Sequence, residues 1–172
     1  MALFLPTVAV EKVTDITPEL IYRMGGSALL LDVDNTLALH GSQIPFPGTI
    51  EWAGRIRAAG IQVIIMSNNF EKRVAPFAAR YGLPFLSLSV KPFPLAYLRA
   101  IHRLGVKRSQ AVTVGDQIFT DVFGANLARV KSILLNPVEE ESSFSFVVRR
   151  ALERPIRRKI EKSGLGKKFL SK

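Results

Sequence analysis

The sequence predicts a three-layer α/β sandwich in which a central, mostly parallel five-stranded sheet lies between two layers of helices. Five short apolar runs recur along the body. They are continuous rather than alternating, as expected of strands covered on both faces. Helix-length segments separate them, so each strand is followed by a crossover. Glycines stand where three of those helices should stop.

Taken in order, residues 18–24 read as a short helix packed on the body. The first strand spans 28–33, and a helix over 48–59 ends at Gly60. The second strand is 61–66, followed by a helix over 70–81 that ends at Gly82 and carries Pro76, the mark of a kink. The third strand is 84–88, with a helix over 93–104 ended by Gly105. The fourth is 110–114, with a helix over 118–128, and the fifth is 131–135. Asn136-Pro137 and the acidic run at 139–143 mark a boundary, giving a body of 1–140 and a tail of 141–172.

The tail concentrates the charge. Of the net +10, the stretch 144–172 carries +8, leaving +2 on the rest. Val148, Leu152, Ile156 and Ile160 recur every four residues as an apolar stripe, interrupted by Pro155, so one kinked helix or two short ones is expected. Arg149, Arg150, Arg154, Arg157, Arg158 and Lys159 fill most of the remaining surface. This pattern has three readings: a helix packed on the body with a solvated basic face, a contact surface for anionic lipid, or one for nucleic acid.

Composition narrows the chemistry. Cysteine is absent, which removes disulfides, thiolate nucleophiles and Cys-based zinc sites. The two histidines, His40 and His102, are assigned no role. Apolar runs stay well short of the ~18 residues a membrane span needs. Met1–Pro6 lacks the features of a signal peptide, so the expected location is cytoplasmic, with peripheral contact at the inner face of the cell membrane.

The first strand ends abruptly in Asp32-Val33-Asp34-Asn35-Thr36. If strand geometry persists to Asp34, the two carboxylates share a face; if it does not, both sit on the turn past the tip. Either way two like charges are crowded, which is costly without a cation or a shared proton. Phosphoryl transfer uses such a pair: one carboxylate attacks phosphorus, the other moves a proton, and Mg²⁺ holds charge. Functional residues of a parallel α/β sheet gather beyond the carboxyl ends of its strands. Ser67-Asn68-Asn69 follows the second strand and offers a hydroxyl and loop amides to phosphate oxygens. Lys91-Pro92 follows the third and offers a cation. Gly115-Asp116, with Asp121 five residues on, follows the fourth and offers hard oxygen ligands for Mg²⁺.

These four strings, D-x-D-N-T, S-N-N, K-P and G-D-x-x-x-x-D, resemble in order the motifs of the haloacid dehalogenase (HAD) phosphatase superfamily. Their fuller forms resemble subfamily IIIA and, within it, a YqeG-like branch related to mitochondrial phosphatidylglycerophosphate phosphatases. The resemblance implies a Rossmann-like fold. It implies Asp32 as the nucleophile that becomes an aspartyl-phosphate, and Asp34 as general acid and then base. It further implies Mg²⁺ held by Asp32, the Asp34 carbonyl, Asp116 and Asp121, with Ser67, Lys91 and Asn68 on the phosphoryl oxygens.

Many relatives insert a cap domain between these motifs. Here only 33 residues separate Asp34 from Ser67, and 24 separate Ser67 from Lys91, so a capless enzyme is expected. An open site suits a phosphate displayed on something large. With the basic tail, this points to phosphatidylglycerophosphate at a membrane surface. Nucleic-acid ends, phosphoproteins, or a receiver-like module that keeps its phospho-aspartate are the alternatives.

Overall fold

The computed structural model describes residues 2–138, 144–165 and 169. Within them, six strands form one parallel sheet: β1 (Val8–Val10), β2 (Ala28–Leu31), β3 (Gln62–Met66), β4 (Phe85–Leu86), β5 (Ala111–Gly115) and β6 (Lys131–Leu135), in spatial order β1-β6-β5-β2-β3-β4. The helices are α1 (Pro18–Arg23), α2 (Thr49–Ala58), α3 (Glu71–Tyr81), α4 (Pro94–Leu104), α5 (Phe123–Leu127) and α6 (Phe144–Ser163).

The alternation of side chains along each strand builds two cores. Leu29 and Leu31 of β2, Val63 and Ile65 of β3, and Val112 and Val114 of β5 pack against α1, α2 and α3 through Ile21, Trp52, Ile56 and Phe77. Leu30, Ile64 and Met66 point the other way, onto Tyr97, Ala100 and Ile101 of α4 and Ala125 of α5. At a rough 1.5–3 kcal/mol per fully buried large aliphatic or aromatic side chain, these two layers dominate the folding energy.

The sheet departs from the five strands expected. β1 adds a sixth at the edge beside β6; at three residues it is too short to leave an apolar run. Pro76 and Pro155 both lie inside continuous helices. The stretch 118–128 is not one helix: a π-helical turn (Ile118–Val122) leads into the short α5.

The tail needs a larger correction. Ile160 is buried against Ile118, Val122 and Leu134, and Ile156 packs at the edge of that cluster. Val148 and Leu152 are exposed, so the apolar stripe is only half used. Arg157 and Arg149, expected on an outward basic face, instead reach into the body. The guanidinium of Arg157 donates to the carbonyls of Leu135 and Asp116, and Arg149 Nη1 donates to Gln117 Oε1 at 2.5 Å. Arg154, Arg158 and Lys159 remain exposed. The 139–143 loop, the boundary at 140/141 and the side chain of Arg150 lie outside the described residues. No helix among the described residues is long and apolar enough to cross a membrane.

Candidate active site

β2 ends at Leu31, so the second of the two geometries holds: Asp32 and Asp34 lie on the turn beyond the strand tip. Asp32 N still donates to Val114 O (2.9 Å), which fixes it between β2 and β5. The chain then folds back on itself. Val33 O accepts from Thr36, Leu37 and Ala38, and Asn35 N donates to Ala38 O at 2.7 Å. Asn35 takes a left-handed conformation (φ 56°), which Asn tolerates better than most residues. β2 lies between β3, its successor in sequence, and β5, reached by a crossover to its other side. The turn thus sits at the switch point where α/β sheets bind ligands.

Lys91 is the hub. Its Nζ lies 2.5 Å from Asp32 Oδ1 and 2.8 Å from Asp121 Oδ1, all three groups buried. Asp116 completes a trio: Asp32, Asp116 and Asp121 each offer a carboxylate oxygen within 4.8 Å of the others. Burial pushes the Asp32 carboxyl well above its ordinary value; Lys91 opposes the shift, while Asp121 and Asp116 add to it. For Lys91, burial works against the charge, but Asp121 and Asp32 outweigh it and hold the ammonium firmly protonated. Three carboxyl groups and one ammonium are thus crowded into a buried space. The donors are hard oxygens lying within 4.8 Å of one another, so the set fits a divalent cation such as Mg²⁺.

The other predicted positions fall around this hub. Ser67, at the end of β3, is buried and its Oγ accepts from Asn69 N at 3.1 Å. Asn68 braces the lysine loop: its Oδ1 accepts from Lys91 N (2.8 Å) and Ser89 Oγ (3.0 Å), and its Nδ2 donates to Lys91 O. Its side chain thus holds the backbone of Lys91 at the edge of the cleft. The Lys91 loop needs this brace because Leu88 and the β-branched Val90 both have positive φ (44° and 57°), a strained conformation found mostly at functional sites. The Asp34 carboxylate is turned away from the trio. It accepts from Arg73 Nη2 (2.6 Å), Asn69 Nδ2 (2.9 Å) and Gly41 N (3.2 Å), with His40 Nδ1 at 3.5 Å.

Several of these groups escape sequence reasoning. His40 was assigned no role, yet it borders the cleft beside Asp34. Arg73 carries a legible signal: it lies in the first turn of α3, where the helix dipole disfavours a cation, so a specific anionic partner is implied. Tyr97 leaves no such trace. Its hydroxyl donates to Thr120 O (2.8 Å) and ties α4 to the turn that carries Asp121.

Gly115 shows how tightly this turn is built. A Cβ there would lie 2.3 Å from the Asp121 carboxylate. Gly115→Ala is therefore expected to displace Asp121 and weaken divalent-cation affinity by about 10- to 100-fold, measured by titration calorimetry. Unchanged affinity would show that Asp121 does not contribute to the cation site.

A parallel α/β sheet with a lysine and three buried carboxylates at its switch point gathers the groups that cation binding and phosphoryl chemistry use. Residues 10–129 match the family of haloacid dehalogenase-like hydrolases, and the chain belongs to that family. The chain is 35% identical to the probable phosphatase YqeG of Bacillus subtilis (strain 168) over 161 residues, 94% of each protein. Among solved structures, an uncharacterized protein from Listeria monocytogenes serotype 4b superposes with a TM-score of 0.56 at 17% identity, over 68% of this chain and 84% of that one. The cobalt-bound deoxy-D-mannose-octulosonate 8-phosphate phosphatase of Haemophilus influenzae gives 0.54 at 18% identity, over 66% and 70%. At these identities the two structures speak for the shared fold alone.

Proposed function

We propose that this protein is a Mg²⁺-dependent phosphomonoester hydrolase that works through an aspartyl-phosphate on Asp32, and that its substrate is phosphatidylglycerophosphate at a membrane surface. The observation that carries the hydrolase reading is the junction of Lys91 with Asp32 and Asp121, inside the cluster completed by Asp116 and in the same cleft as Asp34.

The Asp32 carboxylate attacks phosphorus, and the P–O bond to the alcohol breaks. Protonated Asp34 gives its proton to the departing alkoxide, a transfer that contributes on the order of 10²–10⁴ in rate. Asp34 then takes a proton from water as that water attacks phosphorus, releasing inorganic phosphate and restoring the Asp32 carboxylate. Lys91 and the Ser67 turn neutralise and orient the phosphoryl oxygens. Arg73 and Asn69 hold Asp34 in place throughout. Asp32, Asp116 and Asp121, with the Asp34 carbonyl, would hold Mg²⁺, which offsets the repulsion between a carboxylate and a phosphate dianion.

Three features support the lipid substrate. The sequence resembles the branch related to phosphatidylglycerophosphate phosphatases, and no cap stands between the motifs. The loops around Lys91 also carry exposed apolar side chains: Phe70 is 72% exposed, Val90 57% and Phe93 64%. Such a rim, with the exposed cations Arg154, Arg158 and Lys159 on α6, suits an anionic bilayer, where each Lys or Arg near the surface contributes about 1 kcal/mol. Phosphate release from phosphatidylglycerophosphate in vesicles is expected to exceed that from sugar phosphates and nucleotides by at least about tenfold in kcat/KM, a difference worth ~1.4 kcal/mol. Faster turnover of a soluble metabolite defeats the lipid assignment and leaves the hydrolase intact.

A further inference from the structure

α6 lies outside the matched family region, yet one of its faces is built into the active site. Residues 149, 153 and 157 are spaced by four and so share that face. Glu153 is fully buried and its Oε1 accepts from Ile118 N at 2.8 Å. Arg157 Nη2 pairs with Glu153 Oε2 at 3.2 Å and also donates to the carbonyl of Asp116. The two residues therefore clamp α6 onto the loop that carries Asp116. One turn nearer the start of α6, Arg149 borders the cleft that holds Asp32, Asp34 and Lys91. Its Nη1 donates to Gln117 Oε1, which also accepts from Thr120 Oγ1 at 3.1 Å.

We propose that Arg149 forms a second anion subsite in this cleft, so that the preferred substrate carries a second anionic phosphate group besides the phosphomonoester that is hydrolysed. This rests on the phosphatase reading above and adds to it a recognition element. Lys91 marks the place of the scissile group, because it is joined to Asp32. Arg149 approaches the same cleft from α6, on the wall formed by Gln117 and Thr120. A cleft of about 420 Å³ falls in the range of ligand pockets and has room for more than one phosphoryl group. A guanidinium presents a planar fork of donors matched to phosphate oxygens. The Glu153–Arg157 clamp and the Gln117 contact fix the helix and the side chain in advance, which lowers the ordering cost of binding.

The shared chemistry, a phosphomonoester plus a second phosphate, occurs both in a lipid headgroup and in soluble bisphosphates. The test compares kcat/KM for glycerol 3-phosphate, which has one phosphate, with three substrates that have two. These are phosphatidylglycerophosphate in vesicles, its deacylated water-soluble headgroup, and fructose 1,6-bisphosphate. Wild type is expected to prefer at least one two-phosphate substrate over glycerol 3-phosphate. Arg149→Gln is expected to lower that preference ratio by about 10- to 100-fold, chiefly through KM. Arg149→Lys, which keeps the charge, is expected to retain a larger share of the ratio. Preference for the vesicle and headgroup substrates assigns the second anion to a phosphodiester, whereas preference for the bisphosphate assigns it to a soluble metabolite.

An equal fall on one- and two-phosphate substrates in Arg149→Gln overturns the subsite and leaves only a structural role. So does a wild-type enzyme that shows no preference. Failure of wild type to hydrolyse any of the four substrates, or the generic phosphomonoester p-nitrophenyl phosphate, with Mg²⁺ instead sinks the phosphatase reading, and the subsite with it.

Discussion

Asp32→Asn is expected to lower kcat by on the order of 10⁴-fold or more while the protein stays folded. The amide has nearly the same shape as the carboxylate but carries no negative charge, so its oxygen is too weak a nucleophile to form the covalent intermediate. Folding should survive because burial already disfavours the charged form of Asp32. Cation affinity should also fall, since one of three carboxylates is lost. Phosphate release, thermal melting and trapping of radiolabelled phosphate on the protein together check this. Activity within tenfold of wild type would place the nucleophile elsewhere.

Lys91→Met is expected to cost both activity and cation-free stability. The ammonium is the direct counter-charge to Asp32 and Asp121, and removing one partner of a buried ion pair costs about 3–5 kcal/mol. The loss depends on pH, and its sign follows from Asp32. The folded Asp32 carboxyl lies above its ordinary value of 3.8, through burial first, with Lys91 opposing and Asp121 and Asp116 adding. A group raised in this way lends stability that is complete below its unfolded value and is lost as pH rises through its folded value. Without Lys91 the opposing influence is gone and the rise is larger. The cation-free variant should therefore melt well below wild type at pH 7–8, and the gap should narrow as pH falls towards 4. Added Mg²⁺ should restore part of the difference. Coincident melting curves for variant and wild type at every pH, without cation, would mean that Lys91 does not balance the carboxylates.

Much of this was legible in the amino-acid order because parallel strands buried on both faces must be apolar throughout, and residues beyond their tips need not be. Asp32, Ser67 and Asp116 stand out because each lies at the end of such a run, and Lys91 follows in the loop after the short β4. Other groups stayed hidden because nothing local marks them. β1 is three residues long, and its pairing with β6 is a long-range fact. Asn68 reads as a phosphate ligand, and nothing local marks that its amide also braces the Lys91 backbone. Arg149 and Arg157 look like members of a uniform basic face. Helical spacing cannot tell which side of α6 turns inward when Glu153, the buried acid that sets the orientation, is itself charged.

The clamp from α6 also bears on biosynthesis. Every proposed catalytic carboxylate precedes residue 122, but the side chains that secure the Asp116 loop are numbers 153 and 157 and leave the ribosome later. Domains condense from the amino end as they emerge. A nascent chain can thus assemble its sheet while the Asp116 carbonyl and the Ile118 amide still await their partners. Completion of the centre therefore waits until α6 has emerged and can dock.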